Sequence, residues 1–171
     1  MKLKIKYKML DDIQEPLLSS NGDWIDLRAS TTVEMAGPIA LKSKKNSERK
    51  VVIPHFLLPL GIAMELPKGF EAIVDPRSSI FLKYHCILAN SQGVIDNSYN
   101  GDGDEWKAHL IALDDTVIKK GERIVQFRIQ PSQRATMWQK LKWLFSSGIE
   151  LVYVDKLGNP DRGGHGSTGV K

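Results

Sequence analysis

The sequence predicts an all-β domain, an antiparallel barrel or sandwich, on three observations. Short apolar or alternating runs recur along most of the chain, and Gly, Pro, Asn or Asp fences each of them. Only one stretch carries helical periodicity. Many short strands at such spacing are how antiparallel barrels and sandwiches are written in sequence. At 171 residues, one domain can bury a core without disulfides or structural metal.

Taken in order, "MKLKIKYKML" alternates Lys2, Lys4, Lys6 and Lys8 with Leu3, Ile5, Tyr7 and Met9, a strand with one wet face. "DWIDLRAS", "TTVEM", "KVVIPHFLLPLGIAMEL" and "FEAIVDP" follow as strand segments, then "CILANSQGVID", "WKAHLIAL", "ERIVQFRI" and "IELVYV". "LPKGF" and "KKGER" are compact turns. The exception, "RATMWQKLKWLFSS", sets Met137, Trp138, Leu141, Leu144 and Phe145 at helical spacing, with Gln139, Lys140 and Lys142 elsewhere on the wheel. It predicts one short amphipathic helix over about 136–146, packed on the domain's own surface. Its two lysines are too few for a membrane-surface helix. A boundary falls near Asp155, because "KLGNPDRGGHGSTGVK" offers a core only Leu157 and Val170. The expectation is a β domain over 1–155 and a flexible arm over 156–171.

Composition narrows the function classes. Hydrophobic content of 42% and charged content of 26% are those of soluble globular chains. The single Cys86 excludes an intramolecular disulfide framework and suits a reducing compartment. No Cys/His spacing suggests structural zinc, and no signal-peptide core or membrane-length apolar run is present. The expected location is the cytoplasm. A net charge of +4 would permit nucleic-acid binding, but much of the excess lies in the first eight residues and in "LKSKKNSERK", Leu41 to Lys50. That segment lacks aromatics and reads as a solvated loop, so stable nucleic-acid or membrane binding is not expected.

Four stretches carry chemistry. "RGGHGSTGVK", Arg162 to Lys171, packs four glycines, two hydroxyls, an arginine and an imidazole into ten residues. It is either a floppy tail or a flap whose N–H groups, hydroxyls and arginine close on phosphate oxygens. "DPRSS", Asp75 to Ser79, is a serine-capped helix start or a phosphate site. "GVIDNSYNGD", Gly93 to Asp102, reads as a β-hairpin arm turning near Asn97 and Ser98, with an aspartate competent as a general base on water. In "GERIVQF", Gln126 interrupts an apolar strand, so its amide needs a buried partner or must face a site.

Together and in order, "DWIDLRA", "PRSS", "GVIDNSYNG", "GERIVQF" and "RGGHGSTG" resemble the five motifs of the trimeric dUTPases, which hydrolyse dUTP to dUMP and pyrophosphate. The resemblance spans about Asp23 to Val170 and implies a distorted antiparallel, jelly-roll-like β-barrel. It implies Asp96 as the residue activating the water that attacks the α-phosphorus, and Tyr99 as the ring under the deoxyribose that rejects ribonucleotides. Asn90 and the backbone of Gly93, Val94 and Ile95 would read uracil. Arg77, Ser78 and Ser79 would bind phosphate, and Gln126 would contact phosphate or the water. Arg162, Gly166, Ser167 and Thr168 would close on the γ-phosphate. Asp26 would support the site, and His165, where the family usually has phenylalanine, would stack on the base.

Mg²⁺ is implied, held by phosphate oxygens and water with no direct protein ligand. The implied assembly is a homotrimer with shared sites and an arm crossing to a neighbour. The basic loop and the inserted helix fall outside the minimal family pattern and are either idle insertions or a docking surface for another protein. Two rivals stand beside this reading. A dCTP deaminase of the same fold needs a glutamate where this chain has Trp106, with Glu105 one residue short. A non-catalytic nucleotide sensor would keep the site without turnover.

Overall fold

The computed structural model describes residues 2–16, 22–42 and 49–164. In chain order the strands are β1 Leu3–Met9, β2 Ile25–Arg28, β3 Val33–Met35, β4 Ile39–Lys42, β5 Arg49–Val52, β6 His55–Pro59, β7 Ile62–Glu65 and β8 Phe70–Pro76. Helix α1, Ile80–Tyr84, follows, then β9 Cys86–Leu88, β10 Gly93–Asp96, β11 Lys107–Ala112, β12 Thr116–Ile118 and β13 Arg123–Pro131. Helix α2, Met137–Leu144, and β14, Ile149–Tyr153, complete the described elements.

The alternation of β1 is realised as read: Leu3, Ile5 and Tyr7 are buried while Lys2, Lys4 and Lys6 face out. The strands form five sheets, ordered β14-β1-β7, β10-β8-β13-β2, β6-β11-β9, β12-β3 and β4-β5. The first four of these sheets contribute to one core that includes Ile25, Leu58, Phe70, Leu110 and Phe127. At its centre Trp106 meets Phe127 edge-to-face, ring centroids 5.2 Å apart. The fold is all-β; among the described residues no sheet closes on itself.

Several expectations are corrected. Among the described residues one pairing is parallel, β1 with β14, from Leu3 opposite Ile149 to Tyr7 opposite Tyr153. Parallel neighbours need a long crossover, and here nearly the whole chain supplies it, so no local signal announces the pair. Among the described residues two helices form rather than one. The Arg77–Ser79 segment leads into α1, whose Ile80 and Tyr84 are buried one turn apart. Ser79 stands at the cap position without a side-chain capping bond, so a helix starts there but the serine does not cap it.

The expected loop at Leu41–Lys50 is strand at both ends, where β4 pairs with β5 from Ile39 opposite Val52 to Lys42 opposite Arg49. Residues 43–48 lie outside the described residues. The expected hairpin over Gly93–Asp102 does not form. Strand β10 pairs with β8, and the chain turns after Asp96, Tyr99 N–H donating to its carbonyl at 3.1 Å, into a loop reaching Trp106.

Helix α2 lies within the expected span. Thr136 and Gln139 form a reciprocal capping box at its start. It docks through residues one turn apart: Gln139 donates to the Lys68 carbonyl at 2.9 Å, and Trp143 sits 5.8 Å from the Phe70 ring. Leu141 is partly buried, whereas Met137, Trp138, Leu144 and Phe145, read from the wheel as the packing face, project outward.

Candidate active site

The sheet β10-β8-β13-β2 decides where the chemistry-bearing residues go. Asp96 pairs with Glu71 near the start of β8, while Gln126 lies between Asp26 and Asp75 near its end, one step before Pro76 and Arg77. Six residues of strand separate Glu71 from Arg77, about 20 Å at strand rise. The predicted site residues therefore fall into two groups along this strand, with Asp96 and Arg77 at its opposite ends and Gly93, opposite Val74, between them.

The first group surrounds a pocket of about 270 Å³ lined by Asn90, Gly93, Val94, Ile95, Asp96, Tyr99 and Arg162. That volume is at the low end for small-molecule sites, roughly 300–1,000 Å³. Val74, Leu88, Trp106 and Ala108 form its apolar floor. Gly93 pairs with Val74, and a Cβ on that glycine would meet the Val74 side chain at 3.3 Å, so the backbone edge of β10 lies close to the sheet. Ser91 turns the chain into β10 at φ +57°. Gln92 ties this turn to Asp75 through Nε2, at 3.0 Å.

Asp96 sits at the pocket mouth, its Oδ1 accepting from both the amide N–H (2.9 Å) and the hydroxyl of Ser98. Its Oδ2 accepts from Arg162 Nη1 at 2.7 Å. Burial pushes the Asp96 carboxyl up, but the Ser98 donors and the Arg162 guanidinium outweigh that and hold it below the ordinary aspartate value. It is an anion at neutral pH. Tyr99 donates its hydroxyl to the Glu105 carbonyl at 2.8 Å, which fixes the ring across the pocket beside Gly164. Burial, then the nearby Asp104 and Glu105, raise the proton affinity of this phenol and keep it neutral.

The second group is cationic. Asp26 Oδ1 accepts from Arg77 Nε at 2.8 Å and its Oδ2 from Arg123 Nη1 at 2.9 Å. Arg28 donates to the Gly121 carbonyl at 2.8 Å and lies with Arg77, Ser79, Lys83 and Arg123 around a hollow of about 280 Å³. Burial, then the neighbouring Arg123, lower the proton affinity of Arg28, as expected where cations crowd. Four cations face two carboxylates, Asp26 and Glu122, so an anion is favoured there. Ser78 is exposed beside this hollow's Arg77 and Ser79. Arg28 and Arg123 were missed by the sequence reading. Both sit inside quoted motifs, "DLR" and "GER", but nothing in the one-dimensional pattern brings them to Arg77.

His165, Gly166, Ser167 and Thr168 lie outside the described residues. Among the described residues, no three His, Cys, Asp or Glu side chains converge to hold a metal ion, and no helix is long and apolar enough to cross a membrane.

The family model described as dUTPase matches residues 39–142, well over half of the chain. The chain belongs to the dUTPase family. Among curated dUTPases, the SPbeta prophage-derived deoxyuridine 5'-triphosphate nucleotidohydrolase YosS of Bacillus subtilis (strain 168) is 47% identical over 172 residues, covering 100% of both chains. Among solved dUTPase structures, that from Streptococcus mutans superposes with a TM-score of 0.61 at 21% identity, covering 77% of this chain and 98% of that one. A mutant dUTPase from phage phi11 of S. aureus, described with a coordinated structural Mg(II) ion, superposes at 0.59 with 14% identity over 78% and 94% of the two chains. At those identities the structures establish the dUTPase fold alone.

Proposed function

We propose that this protein hydrolyses dUTP to dUMP and pyrophosphate by attack of water on the α-phosphorus, removing a uracil precursor from the DNA nucleotide pool and supplying dUMP. The observation that carries the reading is the pocket mouth: an ionised Asp96 stands beside Tyr99 and the exposed edge of β10, with Arg162 against its free oxygen.

Uracil lies against the Asn90 turn and the backbone of Gly93, Val94 and Ile95, with the sugar over Tyr99. The fixed ring leaves a 2′-hydroxyl no space. Asp96 orients a water and accepts its proton as the bond to phosphorus forms, and the pyrophosphate leaves carrying the displaced oxygen's electron pair. Arg162 is drawn from Asp96 toward the more highly charged triphosphate, which frees the carboxylate as the arm closes. Arg77, Ser78, Ser79 and Gln126 hold phosphate oxygens, with His165, Gly166, Ser167 and Thr168 completing the flap. Asp26 fixes the angle of Arg77.

A Mg²⁺ ion carried on triphosphate oxygens and water would neutralise charge and fix the phosphate chain. The protein's share of that neutralisation falls to Arg77 and Arg162.

The separation of the two groups along β8 supports a site shared between copies, Asp96 and Tyr99 from one and Arg77, Ser78 and Gln126 from another, in a homotrimer. The cytoplasm, or a host's cytoplasm for a phage-borne gene, is where this substrate is met. Deamination of dCTP fits poorly: Trp106 is fully buried, and Glu105 Oε1 accepts from the Gly61 N–H at 3.0 Å. Pyrophosphate release from dUTP with Mg²⁺, compared with UTP, dTTP and dCTP, tests the reading, with Asp96→Asn as control. Ammonia from dCTP, or equal turnover by the Asn variant, would end it.

A further inference from the structure

Ala89 to Gln92 carry the chain from β9 into β10, and the backbone of this turn is strained. Ser91 stands at φ +57°, in the left-handed region, and the Gln92 N–H donates back across it to the Asn90 carbonyl. A bond of that span across a positive φ makes a tight turn that side chains rarely occupy. The near end is tied by backbone bonds, Ala89 N–H to the His109 carbonyl at 2.8 Å and Ser91 N–H to the Leu88 carbonyl at 3.2 Å. The far end is tied by a side chain. Gln92 Nε2 donates to Asp75, at 3.0 Å from Oδ1 and 3.3 Å from Oδ2.

Sheet register explains the meeting. Gly93 pairs with Val74, which sets Gln92 opposite Asp75 one step before the β10 ladder begins. Asp75 pairs with Gln126, and Gln126 with Asp26, so Gln92, Asp75, Gln126 and Asp26 stand in one row across the sheet. Aspartate is depleted from strands, and this one finds its donor in the Gln92 amide. A carboxylate acceptor makes that bond stronger than a neutral one. The turn it secures reaches the pocket: Asn90 lines the wall, and its Nδ2 lies 4.0 Å from where a Cβ on Gly93 would stand.

We propose that Gln92 and Asp75 are positioning residues for base recognition. Their bond keeps Ser91 in the left-handed region, and so keeps Asn90 against the edge of β10. This role rests on the hydrolytic reading above and adds to it the device that holds the base-reading turn. Loss of the bond lets Ser91 relax toward an ordinary φ, which swings Asn90 away from the bound ring. A uracil edge presents a ring N–H between two carbonyls, whereas cytosine presents a bare ring nitrogen and an amino group. A displaced Asn90 therefore costs affinity for dUTP and discrimination against dCTP together. Asp96 and Tyr99 keep their own bonds to Ser98 and to the Glu105 carbonyl, so the chemical step is spared.

Steady-state kinetics tests it. Gln92→Ala should raise KM for dUTP about fivefold or more, with kcat within about twofold of wild type. The dUTP-over-dCTP ratio of kcat/KM should fall by a similar factor. Asp75→Ala placed on Gln92→Ala should bring no further rise in KM. Glycine takes φ +57° without strain, so Gln92→Ala/Ser91→Gly should recover most of the KM, a rescue that a general loss of stability would not show. An unchanged KM, additive losses in the double variant, or no recovery with glycine would each overturn the proposal.

A readout without nucleotide guards against failure of the hydrolytic reading. Amide hydrogen exchange over Ser91–Gly93 should quicken in Gln92→Ala at unchanged Tm, and unchanged exchange would refute the hold on the turn. Wild-type protein inactive on dUTP would instead strike the hydrolytic reading alone.

Discussion

Asp26 and Arg77 meet through a single Nε–Oδ1 bond of 2.8 Å, and the other oxygen of the same carboxylate holds Arg123. One aspartate on β2 thus spaces two guanidinium groups that would otherwise repel. The arginine beside the two serines is aimed by a residue about fifty positions earlier in the chain.

Asp26→Asn should therefore loosen both arginines. The KM for dUTP is expected to rise roughly tenfold with a smaller change in kcat, because a charge-assisted pair contributes about 1.5–3 kcal/mol and part of it is solvent-screened here. Steady-state kinetics with dUTP checks it. An unchanged KM would remove Asp26 from the phosphate side.

The Ser98 donors give a pH prediction. Asp96 is held below the ordinary aspartate value in the folded protein. A depressed carboxylate contributes stability that is complete above its unfolded value and is lost as pH falls through its folded value. The effect on activity has the same direction: the acid limb of kcat/KM lies below the ordinary aspartate range. Ser98→Ala removes the hydroxyl donor and should move that limb upward in pH. A profile superimposable on wild type would mean that Ser98 does not tune Asp96.

Tyr99→Phe keeps the ring but loses the bond to the Glu105 carbonyl. The ring then gains freedom at the sugar. The ratio of kcat/KM for dUTP over UTP should fall about fivefold, equivalent to about 1 kcal/mol. Competition kinetics with the two nucleotides measures it, and an unchanged ratio would mean that packing alone fixes the ring.

Trp106 is fully buried against Phe127, and its indole N–H has no partner among the described residues. Trp106→Ala should cost about 3–5 kcal/mol in urea unfolding. Trp106→Phe also removes the orphaned donor, so its cost should stay below about 2 kcal/mol. Equal losses would show that the indole nitrogen is satisfied after all.

Much of this was legible in the residues. Lysines alternating with Leu3, Ile5 and Tyr7 specify the wet face of β1, because strand side chains alternate whatever the strand pairs with. "FEAIVDP" coincides with β8 from Phe70 to Pro76, its bounds set by a turn glycine before it and a proline at its end. The spacing of Met137, Leu141 and Leu144 marks α2 within 136–146, and its start is fixed locally by a capping box between residues three apart, Thr136 and Gln139. Asp96, Tyr99 and Asn90 could be named because the motif places them within ten residues of one another.

Other features depend on partners far away in the chain. Whether Val94 and Ile95 belong to a hairpin or pair with β8 is decided by which edge is free when the core closes. The parallel seat of β14 beside β1, the outward aim of Trp138, and the meeting of Arg28 with Arg77 and Arg123 are of the same kind. The hold of Asp104 on the Arg162 amide belongs with them, as a buried carboxylate choosing backbone donors 58 positions away. The sequence by itself determined the strand faces, the turn chemistry and the list of reactive groups, since those follow from interactions within a few residues. Only the tertiary structure decided which groups share a pocket and which lie a strand's length apart. That choice is made by burial and long-range hydrogen bonding, whose partners no local spacing records.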